Sequence, residues 1–474
     1  MFQKTTTILA SLAVSAASGA AFGQVTPQEA TAAPPDTAPA SPPAAPAGEP
    51  AAVEAPPVVP KAATAATDSP AAGAEPVPAP PPPAADKAEP PATKAGEPKA
   101  FKGFAIQSED ERYQLKLGGF VQADARFFTK SAGDPKNTFA VRRARLEFRG
   151  TLAKYFEIRI HPELAESKLT LLDAFGNVHF VDEVQLQVGK MKSPVGLEYL
   201  QSPTELLFPE FGLPTLLVPQ RDVGAYLHGD ILKGTLAYQL GAFNGVADGT
   251  NGDLDENAEK DLEGRVFLHP FKPLKLPALE GFGIGVAGTV GEQDGVLPGY
   301  RTPGREAFFA YAETATALGD RTRVSPQAYY YFGPVGVLGE YVRSEQGVTD
   351  GTTSADIVSE AWQVAGSFVL GGSAGYKGPK IQAPLDPFAG SWGALELAAR
   401  YGWLGVHDDA FDLGFADPQA SARSVRSFGV SASWWFVKGT RAVVSYDQTS
   451  FEDGAAAADR ETEGVLVARL QVAL

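Results

Sequence analysis

From Phe139 to Leu164 the chain alternates between apolar and charged residues through two short segments joined by a turn. Ala140, Ala144, Leu146 and Phe148 fall on one face of an extended chain and Arg143, Arg145, Glu147 and Arg149 on the other, because successive side chains of a strand point to opposite sides. The next segment repeats the pattern, with Phe156, Ile158, Ile160 and Leu164 against Glu157, Arg159, His161 and Glu163. One such hairpin fits a soluble sandwich equally well. Repetition decides the matter: comparable segments recur to the last residue, and their apolar faces never merge into long hydrophobic runs. A closed barrel with lipid outside and charged water inside meets that economy, because in hydrocarbon every backbone polar group must be paired. The expected fold is all-β, a transmembrane antiparallel β-barrel of about 16 strands (16 to 18 allowed).

After the first thirty residues no run of about eighteen apolar residues exists, so the membrane reading rests on strands and not on a helix. The 50 glycines and 10% aromatic content suit twisted strands, tight turns and interfacial rings. Cysteine is absent, as befits an oxidising compartment. A net charge of −16 excludes a nucleic-acid binder, since no basic surface could dominate the long-range field, but leaves room for a basic stripe inside a pore.

The N-terminus carries Lys4, an apolar stretch from Thr7 to Ala17, and Ala21-Phe22-Gly23 before Gln24, the layout of a signal peptide over 1–23. Residues 24–100 hold 21 of the 39 prolines among alanines and scattered charges. Such a segment cannot bury enough surface to offset its ordering entropy and is expected to be a disordered tether with polyproline bias. It is long enough to reach peptidoglycan, though a solvated tether without a specific partner fits its composition as well. The barrel domain is expected over 101–474.

Seventeen segments carry a strand signal. They begin with Tyr113 to Phe128, where Gln122, Asp124 and Arg126 oppose Val121, Ala123, Ala125 and Phe127, and run through the two arginine-bearing strands. Later members include Arg265 to Phe271, Arg305 to Thr314, Arg321 to Phe332, Ala394 to Val406 and Gly464 to Leu474. Because an odd count cannot return both ends to one side, one strand must be split into two segments or one strand missed. The charged residues that alternation turns inward are Asp124, Arg126, Arg143, Arg145, Glu147, Arg149, Glu157, Arg159, Arg323, Arg400 and Arg469. Arg142 falls on the opposite face from Arg143, which assigns it to the rim. Between Ser193 and Gln220 the alternation stops in favour of five prolines and a cluster of Leu and Phe. A break this long and this apolar is expected to fold inward and narrow the lumen, or else to make an oligomer contact. Its Glu205, Phe208, Glu210 and Phe211 are the candidate constriction residues, flanked by Lys190, Lys192 and Arg221. The acidic stretch Asp248 to Glu263 sets Asp253, Asp255, Asn257 and Glu259 at alternate positions but lacks the glycine-centred calcium pattern, so it reads as a solvated loop. No metal or cofactor is expected.

The strand Phe-Ala-Val-Arg-Arg-Ala-Arg-Leu-Glu-Phe-Arg-Gly (139–150) resembles the phosphate-selective porins of types O and P. So do Val-Gly-Lys-Met-Lys-Ser-Pro-Val (188–195), Val-Pro-Gln-Arg-Asp-Val-Gly (218–224) and Gly-Ala-Leu-Glu-Leu-Ala-Ala-Arg-Tyr (393–401). The resemblance implies a 16-stranded outer-membrane barrel of a Gram-negative bacterium, a homotrimer surrounded by lipid, and a third extracellular loop folded into the pore. It also implies an arginine ladder for small anions, with Arg126, Arg142 and Arg143 as members and Arg221 as a constriction arginine. Two departures stand out. Thr204 to Pro219 has no Lys or Arg while carrying Glu205 and Glu210, whose charge would repel a divalent anion, and the chain ends in Leu474 and not in the Phe common to such barrels.

The expected function is therefore an outer-membrane porin passing small hydrophilic solutes with a preference for anions, phosphate or polyphosphate among them. Each luminal arginine is equally open to the plainer role of an ion pair across neighbouring strands. Two other readings stay open: an envelope-anchoring barrel with little conductance, and an outer-membrane hydrolase. The chain is not expected to be an enzyme, because none of His161, His179, His228, His269 and His407 sits in a nucleophile or metal motif, although His161 and His179 are candidates to meet on adjacent strands.

Overall fold

Alternating sequence becomes strand where one side chain in two can face hydrocarbon while the next reaches polar partners. The computed structural model describes residues 104–133, 135–253, 258–456 and 458–474. The expected signal peptide 1–23, the tether 24–100 with its peptidoglycan contact, and Asp255 and Asn257 of the acidic stretch lie outside the described residues.

Sixteen strands form the wall. The first eight are β1 (Gln114–Lys130), β2 (Thr138–Leu152), β3 (Phe156–Glu163), β4 (Thr170–Val181), β5 (Val184–Lys192), β6 (Arg221–Ile231), β7 (Leu236–Phe243) and β8 (Asp261–Leu268). The second eight are β9 (Phe282–Gly295), β10 (Thr316–Phe332), β11 (Val335–Thr349), β12 (Ser354–Leu370), β13 (Ala394–Val406), β14 (Ala422–Val437), β15 (Thr440–Asp453) and β16 (Glu463–Ala473). Each pairs antiparallel with the next in sequence, and β16 returns to β1 through the register Phe120↔Ala473 to Lys130↔Gly464. Closure leaves the ring without an edge, which is the condition for a sheet in lipid. A three-residue strand, Ala105–Gln107, pairs with Gln114–Lys116 where β16 has run out.

Large apolar residues cover the outside. Val121, Val141, Leu146, Phe148, Ile158 and Ile160 are all 38–50% exposed, a surface that only lipid would cover. The hairpin turns 153–155, 182–183, 333–334 and 438–439 lie at one end of the barrel. Gly439 serves the last of these at φ 87°, a left-handed position where a side chain would be strained. The connections 193–220, 244–260, 296–315 and 407–421 are at the other end. Two longer connections break this division: residues 269–281 and 371–393 emerge at the short-turn end.

The seventeenth expected segment, Arg305 to Thr314, is not a wall strand. Only Ala307–Phe309 is extended, pairing with Tyr300–Arg301 as a small hairpin within the 296–315 connection. Its adjacent Phe308 and Phe309 are both buried, in one cluster with Tyr300, Leu213 and Leu217. Two neighbouring buried rings need cover on both faces of the strand. Lipid on one side and water on the other cannot provide it, whereas a loop core can.

Arg142 also departs from strict alternation. The register between β1 and β2 runs Gln122↔Arg143 and then Ala123↔Val141, so Arg142 is the extra residue of a β-bulge. The bulge turns Arg142 to the same side as Arg143, and from there to Phe139 the outward phase moves by one residue. Val430, midway along the outer face of β14, is expected to tolerate charge poorly: Val430→Arg should destabilise the barrel by about 2–4 kcal/mol and Val437→Arg, at the strand end, by about 0–1 kcal/mol, measured by guanidinium unfolding in lipid vesicles.

Candidate functional site

The connection between β5 and β6 folds into the barrel and packs its apolar residues against the inner wall. A helical turn, Leu197–Leu200, begins it. Leu197, Leu207 and Phe208 are buried together with Phe267 of β8, Leu338 of β11, Ala365 of β12 and Ala398 of β13. Further along, Leu213, Leu217 and Val218 join the rings of the 296–315 hairpin and Phe411 and Phe415 of the 407–421 connection.

An irregular segment inside a barrel carries backbone groups that no strand satisfies, and here the wall satisfies them. Glu340 of β11 accepts from the amides of Leu197 (2.6 Å) and Glu198 (3.2 Å), capping the helical turn. Gln363 of β12 donates to Glu198 and Glu340 at 2.9 Å each, and Glu198 accepts from the Gly212 amide at 2.7 Å, which ties the two halves of the connection together. Its carbonyls are held in sequence. Gln122 donates to Pro203 O (3.0 Å), Gln471 to Thr204 O (3.0 Å), Arg441 to Leu206 O (2.7 Å) and Ser431 to Leu207 O (2.7 Å). Arg469 donates to Pro209 O (2.6 Å) and Arg400 to Glu210 O (3.0 Å).

Around Glu210 the wall arginines converge. Arg142 donates twice to its carboxylate, at 2.7 and 3.0 Å, Arg143 once at 3.1 Å and Arg469 once at 3.3 Å, while Arg126 lies 3.8 Å away. Arg469 also grips Asp124 with both arms of its fork at 2.6 and 2.8 Å, and Arg400 binds Asp447 at 3.0 Å. Arg400 lies over the Phe208 ring at 4.2 Å and Arg143 over Phe211 at 5.9 Å. Burial pushes the Glu210 carboxyl up, but Arg142, Arg143 and Arg469 pull it back further, so it is held well below the ordinary carboxylate range. The repulsion expected of Glu210 is thus compensated on the spot. Glu205 has no cation within ion-pair distance among the described residues and accepts only from the Ser202 amide, at 3.4 Å.

A second group occupies β2 to β6. Glu147 accepts from Arg149 (2.9 Å) and Arg159 (2.6 Å), and Arg145 binds Glu163 at 2.6 Å. Asp173 of β4 receives His161 at 2.9 Å, Arg221 at 2.8 Å and Arg159 at 3.4 Å. Arg221 donates in addition to the Tyr199 hydroxyl at 2.8 Å. Lys192 has no carboxylate within ion-pair distance among the described residues; its ammonium donates to the carbonyls of Tyr199 (2.5 Å) and Gln201 (2.7 Å). Arg145 Nη1 and Arg159 Nε are buried without a partner. The group holds five cations, Arg145, Arg149, Arg159, Lys192 and Arg221, against the three carboxylates Glu147, Glu163 and Asp173; Arg145 and Glu163 form a pair of their own, and Lys192 is linked to Arg221 through Tyr199.

Other expected site residues lie apart from both groups. Arg323 binds Asp248 at 2.6 Å and Asp261 at 3.2 Å, beside Arg321. Lys190 pairs with Asp253 of the acidic connection. Glu157 sits near the short-turn end and accepts from Asn177 at 3.1 Å. His161 and His179 do not meet: the register sets His161 opposite Asp173, while His179 bonds Asp182 at 2.8 Å. Sequence reading overlooked Glu340, Gln363, Arg441 and Tyr376. All but Tyr376 lie on wall strands, where the inward phase marks them as luminal without saying that a loop will meet them.

Residues 115–474 match the family described as phosphate-selective porin O and P. The chain belongs to that family. Solved structures share its fold at low identity. The outer membrane channel DcaP of Acinetobacter baumannii has a TM-score of 0.50 at 12% identity, over 78% of this porin and all of that chain. OmpF of Salmonella typhi, in complex with daunomycin, has a TM-score of 0.49 at 13% identity over 77% of this porin and all of that chain. OmpT of Vibrio cholerae, in a trimer form, has a TM-score of 0.47 at 12% identity over 76% of this porin and 99% of that chain. No curated protein sequence matches. This porin is an outer-membrane barrel, so its short-turn end faces the periplasm and the 193–220 connection is its third extracellular loop.

Glu210→Gln is expected to destabilise the porin by about 3–5 kcal/mol in denaturant unfolding, because it strips buried arginines of a shared charge. A carboxyl lowered by folding stabilises the folded state above its unfolded pKa. The difference between wild type and Glu210→Gln should therefore hold constant from pH 7 to about 5 and shrink only below about pH 4.

Proposed function

We propose that this porin admits small hydrophilic solutes with a modest preference for anions, inorganic phosphate among them, through the part of the lumen bordered by β2 to β6. The observation that carries the reading is the five-to-three excess of cations in the set containing Lys192. At about 5 Å and an effective dielectric of about 20, one uncompensated charge favours a passing anion by about 3 kcal/mol, enough to bias a current without trapping the ion. The arginines around Glu210 contribute little to that bias. Arg142, Arg143, Arg400 and Arg469 are each engaged by a carboxylate or a loop carbonyl, so selectivity as strong as a full arginine ladder would give is not part of the proposal.

Family membership supports a homotrimer surrounded by outer-membrane lipid. The same proposal assigns residues 1–23 to export and 24–100 to a periplasmic tether, with peptidoglycan as its candidate partner. One observation favours a second reading, an envelope-anchoring barrel of little conductance: loops enter the lumen from both ends, with Tyr376 of the 371–393 connection meeting the third loop.

The refolded porin in a planar bilayer under a KCl gradient is expected to show a reversal potential of moderate anion selectivity that phosphate perturbs. Lys192→Glu changes the count to four against four and should move selectivity severalfold toward potassium. An unaltered reversal potential in Lys192→Glu would remove the β2–β6 set from the mechanism, and absence of current in the wild type would leave the anchor reading.

A further inference from the structure

On the periplasmic side of the third loop, the inner faces of β8 and β10 present a row of rings. Phe267 and Tyr329 lie 5.1 Å apart, Tyr329 and Tyr331 5.4 Å apart, and Tyr376 stacks on Tyr329 at 5.0 Å with 21° between the planes. The shelf is rigidly held. His269 Nε2 bonds the Tyr329 hydroxyl at 2.7 Å, and the Tyr376 hydroxyl donates to Leu197 O at 2.5 Å. Tyr329, Tyr331 and Tyr376 are only partly buried.

Arg265 of β8 stands at the edge of this shelf with its guanidinium 4.6 Å over the Phe267 ring. Its Nε donates to Gln327 at 3.1 Å. No carboxylate lies within ion-pair distance of it, and its two terminal nitrogens donate to nothing among the described residues. The contrast with nearby arginines is chemical: Arg321 and Arg323 on β10, one strand beyond β9, are both tied to aspartates. A guanidinium braced by one hydrogen bond and one ring keeps its terminal fork free and planar, the geometry that takes a carboxylate through two parallel bonds.

We propose that Arg265 with Phe267, Tyr329, Tyr331 and Tyr376 forms a luminal binding site for small aromatic carboxylates. The proposal rests on the channel reading only in that the site lies in the lumen. One cation beside several ring faces fits a monoanion with a flat apolar plate. The carboxylate takes the fork of Arg265 and the ring lies against Tyr329 and Tyr331 by offset or edge contact. A compact dianion such as phosphate gains nothing from the rings and meets only a single charge here, so the site is distinct in chemistry from the Lys192 set.

Benzoate is the probe. Saturation-transfer NMR on the refolded, detergent-solubilised porin is expected to show transfer to the benzoate ring protons that excess phosphate leaves largely in place. Arg265→Gln should weaken binding about tenfold or more, from the loss of charge-assisted hydrogen bonds. Tyr329→Leu should weaken it severalfold, and Arg265→Lys, which keeps the charge but not the fork, should fall between wild type and Arg265→Gln. Heat-modifiable migration on gels confirms that each variant is folded, and Arg265→Lys serves if Arg265→Gln does not fold. Absence of transfer in the wild type, or equal transfer in Arg265→Gln, overturns the proposal. KCl conductance measured on the same preparation separates the two readings. Conductance without benzoate binding overturns this site alone, and binding without conductance sustains the site while removing the channel.

Discussion

Every backbone amide and carbonyl that leaves bulk water in this protein must be given a partner, and the architecture follows from how that is done. In the wall, closure of β16 onto β1 pairs the backbone all the way round, so the strands can expose Val, Leu, Ile and Phe to hydrocarbon without leaving an edge. Inside the wall, the third loop has no strand to lean on. Its carbonyls from Pro203 to Glu210 are taken by Gln122, Gln471, Arg441, Ser431, Arg469 and Arg400, which project from five different strands. These carbonyls are therefore held by one arc of the wall, from β13 round to β1.

This division of labour changes what luminal charge means. A guanidinium that donates to a loop carbonyl while gripping an aspartate is a structural group first, and its field is largely spent within a few ångströms. Arg469, between Asp124, Glu210 and Pro209 O, is the clearest case. Glu210 works the same way with the opposite sign, since its carboxylate is what lets several arginines share one small volume. Uncompensated charge survives where carboxylates are outnumbered, at Lys192 among the β2–β6 residues, and where a guanidinium lies against rings, at Arg265. Those two places differ in chemistry: one is polar and multiply charged, the other aromatic and singly charged.

How much was legible in advance can be judged residue by residue. The outward Leu146, Phe148, Ile158 and Ile160 and the inward Arg143, Arg145, Glu147 and Arg159 follow from period-two alternation, because the pleat alone decides which way a side chain points. Arg142 does not follow, because a bulge costs one residue of register and leaves no composition signal. Arg305 to Thr314 read as a wall strand because a short apolar segment looks alike whether it faces lipid or a loop core. Glu340 and Gln363 were visible only as inward polar residues; that they cap and brace the third loop depends on which strand lies opposite it across the lumen.

By itself the sequence determined that the chain makes a closed antiparallel barrel with a lipid-facing exterior, a polar interior, and a long apolar break between two strands. Those properties are local, set by alternation along each strand and by the need to pair every backbone group in hydrocarbon. Only the tertiary structure decided which arginine is neutralised and which is free. Arg469 and Asp124 become neighbours through closure of the ring, Arg142 and Glu210, or Tyr376 and Leu197, through loops that enter it, and electrostatic compensation is a property of distance in space, to which spacing along the chain is blind.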